Sequence, residues 1–349
     1  MRSLMHVLHQ IGKHDSPNDL RIDLMSYFVD RTEGGRATVR DVLFDSEKRL
    51  SSVGVPSPST DASTIVAHVL GVTRSRLLLQ DSVDNEQRVR IEALLSQRLS
   101  RVPLQHILGV AHFRYIELKV GPGVFIPRPE TELVAEAAIR ALRDSPSKVA
   151  VDLCSGSGAI ALAMATEVPG SIVYAVELDP HAAEWTQLNV AAHAVQLAQV
   201  GSTVEVMVDD AALVSEPGHD LAHLARQVSV VSANPPYIPE GMIPREAEVR
   251  DHDPAMALYS GADGLTVTRR VILTAAVLLR EGGLLVIEHA DIQGTQAGSL
   301  GVPTLVKTAA VDADLGERIP QLPGTALFSS VVDRTDLNGL PRFTMAIRT

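Results

Sequence analysis

The stretch V-D-L-C-S-G-S-G-A-I-A (residues 151–161) sets the reading of the fold. A short apolar run meets two glycines two residues apart, and an Ala/Ile/Leu stretch with helical character follows at once. A strand that ends in such a loop and opens a helix belongs to a parallel sheet that binds a ligand at its strand ends. Gly156 and Gly158 permit positive φ and let a ligand approach the main chain closely. The helix behind them offers free N–H groups at its start. About 19 residues after Gly158, Glu177 ends the next apolar run, where a carboxylate is placed to accept both hydroxyls of a ribose. Two ligands suit this geometry. G-S-G-A-I-A satisfies the dinucleotide pattern G-x-G-x-x-A, and S-adenosylmethionine uses the same loop with its methionine part over the glycines. The loop alone leaves both open.

Outward from this segment, apolar runs alternate with helical patterns. Strands are predicted at 149–153, 171–176, 204–208, 228–233 and 284–288, with helices at 157–167, 180–194 and 264–280. Closing strands are predicted at 325–332 and 343–347, while 293–323 is punctuated by Gly and Pro and receives no assignment. The expected fold is α/β, a Rossmann-like, seven-stranded, mostly parallel sheet covered by helices on both faces. Ahead of it, 38–110 reads as a small helical domain. Its first helix stops at Gly54-Val55-Pro56, its second is capped by Ser59 or Thr60 and ends at Gly71, and its third runs through Val89, Ile91, Leu95 and Leu99. Residues 111–128 read as a hairpin linker turning at Gly121-Pro122-Gly123, and 129–349 as the sheet domain. Residues 1–37 are an extension with one short helix predicted between Leu20 and Val29 and no evident chemistry.

Composition narrows the function. The net charge is −11, and the acidic excess falls after residue 105. A protein that grips many nucleic-acid phosphates shows the opposite sign, so no direct nucleic-acid partner is expected. One cysteine, Cys154, excludes an internal disulfide and a multi-cysteine zinc site, and no metal is expected. Cys154 reads as a small filler beside the ligand, since the local sequence supplies no base or cation for a thiolate. No apolar run reaches membrane-spanning length, and the N-terminal stretch lacks a signal-peptide core. The expectation is a cytoplasmic monomer with no membrane contact.

The chemistry is carried by S-A-N-P-P-Y-I-P (residues 232–239), directly after the apolar run 228–231. Two prolines cannot continue a strand ladder, so the chain leaves the sheet here, at the end where open α/β sheets bind ligands. Asn234 is thereby expected in the same crevice as Gly156 and Glu177. An amide or aryl NH2 has a delocalised lone pair and is a poor nucleophile. The Asn234 side-chain oxygen and the Pro235 carbonyl could hold its two N–H bonds, leaving the nitrogen aimed at a sulfonium methyl. Positive charge developing on nitrogen would strengthen both contacts, which stabilises the transition state. Tyr237 could pack on the planar target group.

With these blocks the chain resembles the release factor glutamine methyltransferase family over about residues 38–349. Further family-like blocks are R-V-P-L-Q-H-I-L-G (101–109), V-F-I-P-R-P-E-T-E (124–132), D-P-A-M-A-L-Y-S-G-A-D-G-L (253–265), E-G-G-L-L-V-I-E-H (281–289) and D-L-N-G-L-P-R-F (336–343). The resemblance implies methyl transfer from S-adenosylmethionine, leaving S-adenosylhomocysteine, to the glutamine side-chain amide in the Gly-Gly-Gln loop of class I peptide chain release factors. It implies donor contacts at Cys154, Ser155, Gly156, Ser157, Gly158, Glu177, Asn234 and Asp210, the last with Asp209 adjacent. It implies substrate contacts at Asn234, Pro235, Pro236, Tyr237 and Phe125, with Arg128 in the same block, and a helical domain that docks the protein substrate. Cys154 stands where many members have glycine, and Ala211 where some carry an aromatic.

Other readings compete. A nucleic-acid amino-methyltransferase would use the same Asn-Pro-Pro-Tyr on adenine or cytosine. A nicotinamide-dependent oxidoreductase explains the glycines and Glu177 but gives Asn-Pro-Pro-Tyr no purpose. Glu130 and Glu132 read as charges at a helix start, and His219 and His223 as a solvated surface pair.

Overall fold

The computed structural model describes residues 37–310 and 324–349. The helix predicted between Leu20 and Val29 lies outside the described residues. The chain forms two compact units, one up to Arg101 and one from Val102.

In the first unit, strands β1 (Ala37–Thr38) and β2 (Ser82–Val83) pair antiparallel beside helices α1 (Val39–Ser52), α2 (Pro58–Leu70) and α3 (Asn85–Leu99). The Thr38 hydroxyl caps α1 by accepting the Asp41 amide at 3.1 Å. Helix α2 starts two or three residues earlier than predicted, behind Ser57, because Pro58 takes the first helical position with its φ already fixed. Gly71 ends it in the left-handed conformation. Asp84 and Gln87 form a reciprocal capping box on α3. Leu50, Ile65, Val66 and Leu95 are buried between the helices, and Arg98 pairs with Asp61 at 2.7 Å in the interior.

The second unit opens with α4 (Leu104–Leu108) and the antiparallel hairpin β3 (Val110–Phe113) and β4 (Ile116–Lys119). Its turn is Arg114-Tyr115, not Gly121–Gly123. Arg114 tolerates a φ of +49° because its side chain is pinned by Glu167 at 2.6 and 2.7 Å and by Glu136 at 2.7 Å. Those carboxylates hold the guanidinium well above its ordinary pKa. Gly121 is demanded by packing instead, since a Cβ there would lie 2.7 Å from the Trp185 ring.

The sheet has seven strands in the order β10-β11-β9-β8-β5-β6-β7. Strands β5 (Val149–Leu153), β6 (Ile172–Glu177), β7 (Thr203–Val208), β8 (Val228–Ala233) and β9 (Leu279–Glu288) run parallel. Strands β10 (Phe328–Thr335) and β11 (Pro341–Arg348) close it antiparallel. Along β5 and β8 successive residues face opposite cores: Ala150 and Val230 one way, Val151 and Val231 the other. One core is roofed by α5 (Thr131–Asp144) and α6 (Ala159–Glu167), the other by α11 (Thr266–Leu278). Between them in the chain lie α7 (Pro180–Ala192), α8 (Ala194–Val200), α9 (Ala247–His252) and α10 (Ala255–Leu258), with α12 (Val302–Thr308) before β10. The helix predicted at 180–194 breaks at His193, and β9 begins five residues early because α11 ends at Leu278. Part of the unassigned stretch forms short turns and α12; residues 311–323 are outside the described chain. No described helix is long and apolar enough to cross a membrane.

Candidate active site

Register fixes the site. Leu153 lies opposite Val176 and Ala233, and Ala233 opposite Ile287, so β5, β6, β8 and β9 end at one level. The loops leaving these ends enclose a cavity of about 650 Å³. Of the residues singled out by sequence, Phe125, Cys154, Ser155, Gly156, Ser157, Glu177, Asp210, Asn234, Pro236 and Tyr237 line it. Pro235 and Gly158 do not. Pro235 is buried beneath the wall, and Gly158 backs onto Thr186, where a Cβ would come within 2.8 Å of the methyl group.

The glycine loop is braced from below. Cys154, Gly156 and Gly158 all have positive φ, at 60°, 57° and 80°. Cys154 therefore occupies a position that favours glycine, at a cost of roughly 1–2 kcal/mol. Burial, with Glu177, Asp152 and Asp210 nearby, pushes its thiol pKa up and keeps it protonated. Asp152 is buried at the end of β5, where one oxygen accepts the Ser232 hydroxyl at 2.7 Å and the other the Ala161 amide at 3.2 Å. Burial pushes its pKa up to about 7 despite these bonds. It ties the loop strand to the strand that carries Asn234. Sequence reasoning passed over it because nothing local marks an interior aspartate as shared between two strands.

Glu177 accepts the amides of Gly156 at 2.7 Å and Asp179 at 3.0 Å. Burial still raises its pKa, these amides working against the rise. Each carboxylate oxygen has a second lone pair for a ligand hydroxyl. Asp210 lines the cavity, whereas Asp209 turns to His219 at 3.0 Å. His219 is thus a carboxylate partner, not half of a solvated histidine pair.

The residues fit S-adenosylmethionine on structural grounds. The Ser155 hydroxyl is buried on the cavity wall without a hydrogen-bond partner among the described residues. Space is open where a Gly156 Cβ would point. Glu177 and Asp210 put two carboxylates on the wall, and Val176, Leu178, Ala211 and Ile160 supply apolar surface.

Elsewhere on the cavity wall, Arg128 lies 4.9 Å over the Phe125 ring and pairs with Asp253 at 2.8 Å. Burial pushes Asp253 up to about 6 against the pull of Arg128. Behind Tyr237, Glu288 is buried and pushed up to about 7, countered by Thr131, Arg342 and Arg128. The Tyr237 phenol is raised by burial and by Glu288. Glu132 accepts the Arg114 amide at 3.0 Å, so it buttresses the hairpin as well as starting α5.

Residues 116–239 match the methyltransferase small domain, and residues 41–109 match the PrmC N-terminal domain. Fold and site together define an S-adenosylmethionine-dependent methyltransferase. The chain is 44% identical over 305 residues to the release factor glutamine methyltransferase of Streptomyces coelicolor, covering 86% of this chain and 94% of that one. It is 40% identical to its counterpart in Bifidobacterium longum (79% and 95% covered) and 41% identical to that of Mycolicibacterium smegmatis (89% and 98% covered). The chain belongs to the release factor glutamine methyltransferase family.

Proposed function

We propose that this protein transfers a methyl group from S-adenosylmethionine to the side-chain nitrogen of the glutamine in the Gly-Gly-Gln loop of class I peptide chain release factors. The observation that carries this reading is the exit of Asn234 from β8 into the cavity walled by Ser155, Gly156 and Glu177. A donor lying along the glycine loop and a planar amide held at Asn234 would then meet at one point.

The donor supplies an electrophilic methyl on sulfonium. Asn234 accepts one amide N–H on its side-chain oxygen, and the main-chain oxygen of Pro235, one residue behind the wall, accepts the other. Neither proline has an N–H to compete, and their fixed φ values limit the directions their carbonyls take. Both acceptors bind the target more strongly as its nitrogen gains positive charge, and as the nitrogen–methyl bond replaces the sulfonium–methyl bond the amide nitrogen sheds its surplus proton to water. Tyr237 and Phe125 flank the planar group, and Glu177 and Asp210 hold the donor's nucleoside. The helical unit docks the release factor, the protein acts as a monomer in the cytoplasm, and no direct contact with nucleic acid is needed.

Mass spectrometry of the Gly-Gly-Gln peptide after incubation of a release factor with protein and donor tests this. A gain of one methyl on the glutamine is expected. Transfer to DNA or RNA bases with none to the peptide would replace this reading by the nucleic-acid one.

A further inference from the structure

The Asn-Pro-Pro-Tyr loop is held by a residue from the stretch that receives no assignment in the sequence reading. Gln293 is buried, 4% exposed, in a short turn after β9. Its Nε2 donates to the Tyr237 main-chain oxygen at 3.0 Å, and its Oε1 accepts the Ala290 amide at 3.1 Å. The orientation of the side-chain amide is fixed, because an amide N–H only donates and a carbonyl only accepts. A third segment closes on the same bond. Gly264, at φ +76°, approaches so closely that a Cβ would stand 2.3 Å from the Tyr237 oxygen and 3.1 Å from Gln293 Nε2.

The loop needs such a hold. Its first end is fixed in the sheet at Ala233, paired with Leu153 and Ile287. Pro235 and Pro236 carry no N–H, so the middle can donate no main-chain hydrogen bond. Past Tyr237 the chain is fastened again, with the Ile238 amide on Leu258 at 2.8 Å and the Glu240 amide on Gly261 at 2.9 Å. Tyr237 itself is fixed through its carbonyl.

We infer that Gln293 is a positioning residue for methyl transfer: its hydrogen bond to the Tyr237 carbonyl, made possible by Gly264, sets the direction in which Asn234 and Pro236 face the cavity. The inference rests on the methyl-transfer reading above. Gln293 itself does not line the cavity, so its effect falls on alignment and not on donor binding.

The test is Gln293→Met, which keeps the volume and loses the donor, compared with wild type in three measurements. Transfer to a release factor should lose about tenfold or more in kcat, because small misalignments cost that much in a positioned reaction. The dissociation constant for S-adenosylhomocysteine should stay within about twofold, since Ser155, Gly156 and Glu177 are untouched. Deuterium exchange at Ile238 and Glu240 should be faster. Gln293→Glu should regain kcat as pH falls and its carboxyl again donates, a profile that a purely structural role would not produce. A Gln293→Met protein with wild-type kcat and wild-type exchange would overturn the inference. If wild type itself transfers no methyl to release factors, the function proposed above fails, while the exchange measurement still decides whether Gln293 holds the loop.

Discussion

Glu177 and Gly156 are joined at 2.7 Å, carboxylate to amide, so the end of β6 holds the loop that follows β5. The loop's shape thus depends on the same side chain that the proposed function assigns to the donor's ribose. Glu177→Ala should weaken binding of S-adenosylhomocysteine by at least about tenfold, since hydrogen bonds to a charged group are worth roughly 1.5–3 kcal/mol. Calorimetric titration reads this directly, and unchanged affinity would remove Glu177 from the donor site.

Cys154→Gly should stabilise the protein. The residue sits at φ +60°, and relief of that conformation is worth about 1 kcal/mol, less the extra chain entropy glycine brings to the unfolded state. A higher urea midpoint with methyl transfer retained is expected. A lower midpoint would mean that packing of the sulfur outweighs the backbone strain.

Asn234→Ala removes the acceptor proposed to respond to charge on the reacting nitrogen. Transfer should fall by about 10²-fold or more, on the scale of losing one transition-state hydrogen-bonding partner. Binding of S-adenosylhomocysteine should survive in part, because Ser155, Gly156 and Glu177 are untouched. Equal losses in binding and turnover would assign Asn234 to the donor alone.

Glu288 links stability to pH. Its folded pKa is pushed up to about 7 by burial, above the ordinary value of 4.5. Below about pH 4 it is protonated in both states and has no effect. Between about 4 and 7 the unfolded chain releases the proton first, so this group erodes stability as pH rises, and above 7 the penalty is constant. Glu288→Gln should therefore lose less stability than wild type between pH 5 and pH 8. Parallel curves from denaturant titrations would show that the carboxyl is ionised in the fold throughout.

Arg114→Ala should destabilise the second unit by about 3 kcal/mol, because it strands the mostly buried Glu167 carboxylate. Thermal unfolding gives the measurement; a change below about 0.5 kcal/mol would place the Arg114 cluster with ordinary surface pairs.

Much of this architecture is legible along the chain because its signals are local. Residues 149–153 and 228–233 are short apolar runs bounded by breakers, and they form strands with those limits. The Gly-x-Gly loop and Asn-Pro-Pro-Tyr declare their conformations through residues with few alternatives. What escaped depends on distant partners. The hairpin turns at Arg114 because Glu136 and Glu167 await its side chain, while the glycines at 121–123 looked the better turn. Ser59 and Thr60 lose the expected cap to Ser57 because Pro58 takes the first helical position. Asp152 and Gln293 show their roles only once Ser232 and Tyr237 are brought beside them.

Asn189, fully buried on α7, joins the hairpin to the glycine loop. Its side chain accepts the Lys119 amide at 2.7 Å and donates to the carbonyls of Lys119 at 3.0 Å and Ser157 at 2.9 Å. A truncation starting at the first strand of the large sheet would strip this amide of its Lys119 partners and leave unpaired polar atoms next to the donor pocket. The smallest fragment worth expressing as a stand-alone catalytic module begins ahead of Val110, with the ribbon retained as part of its foundation.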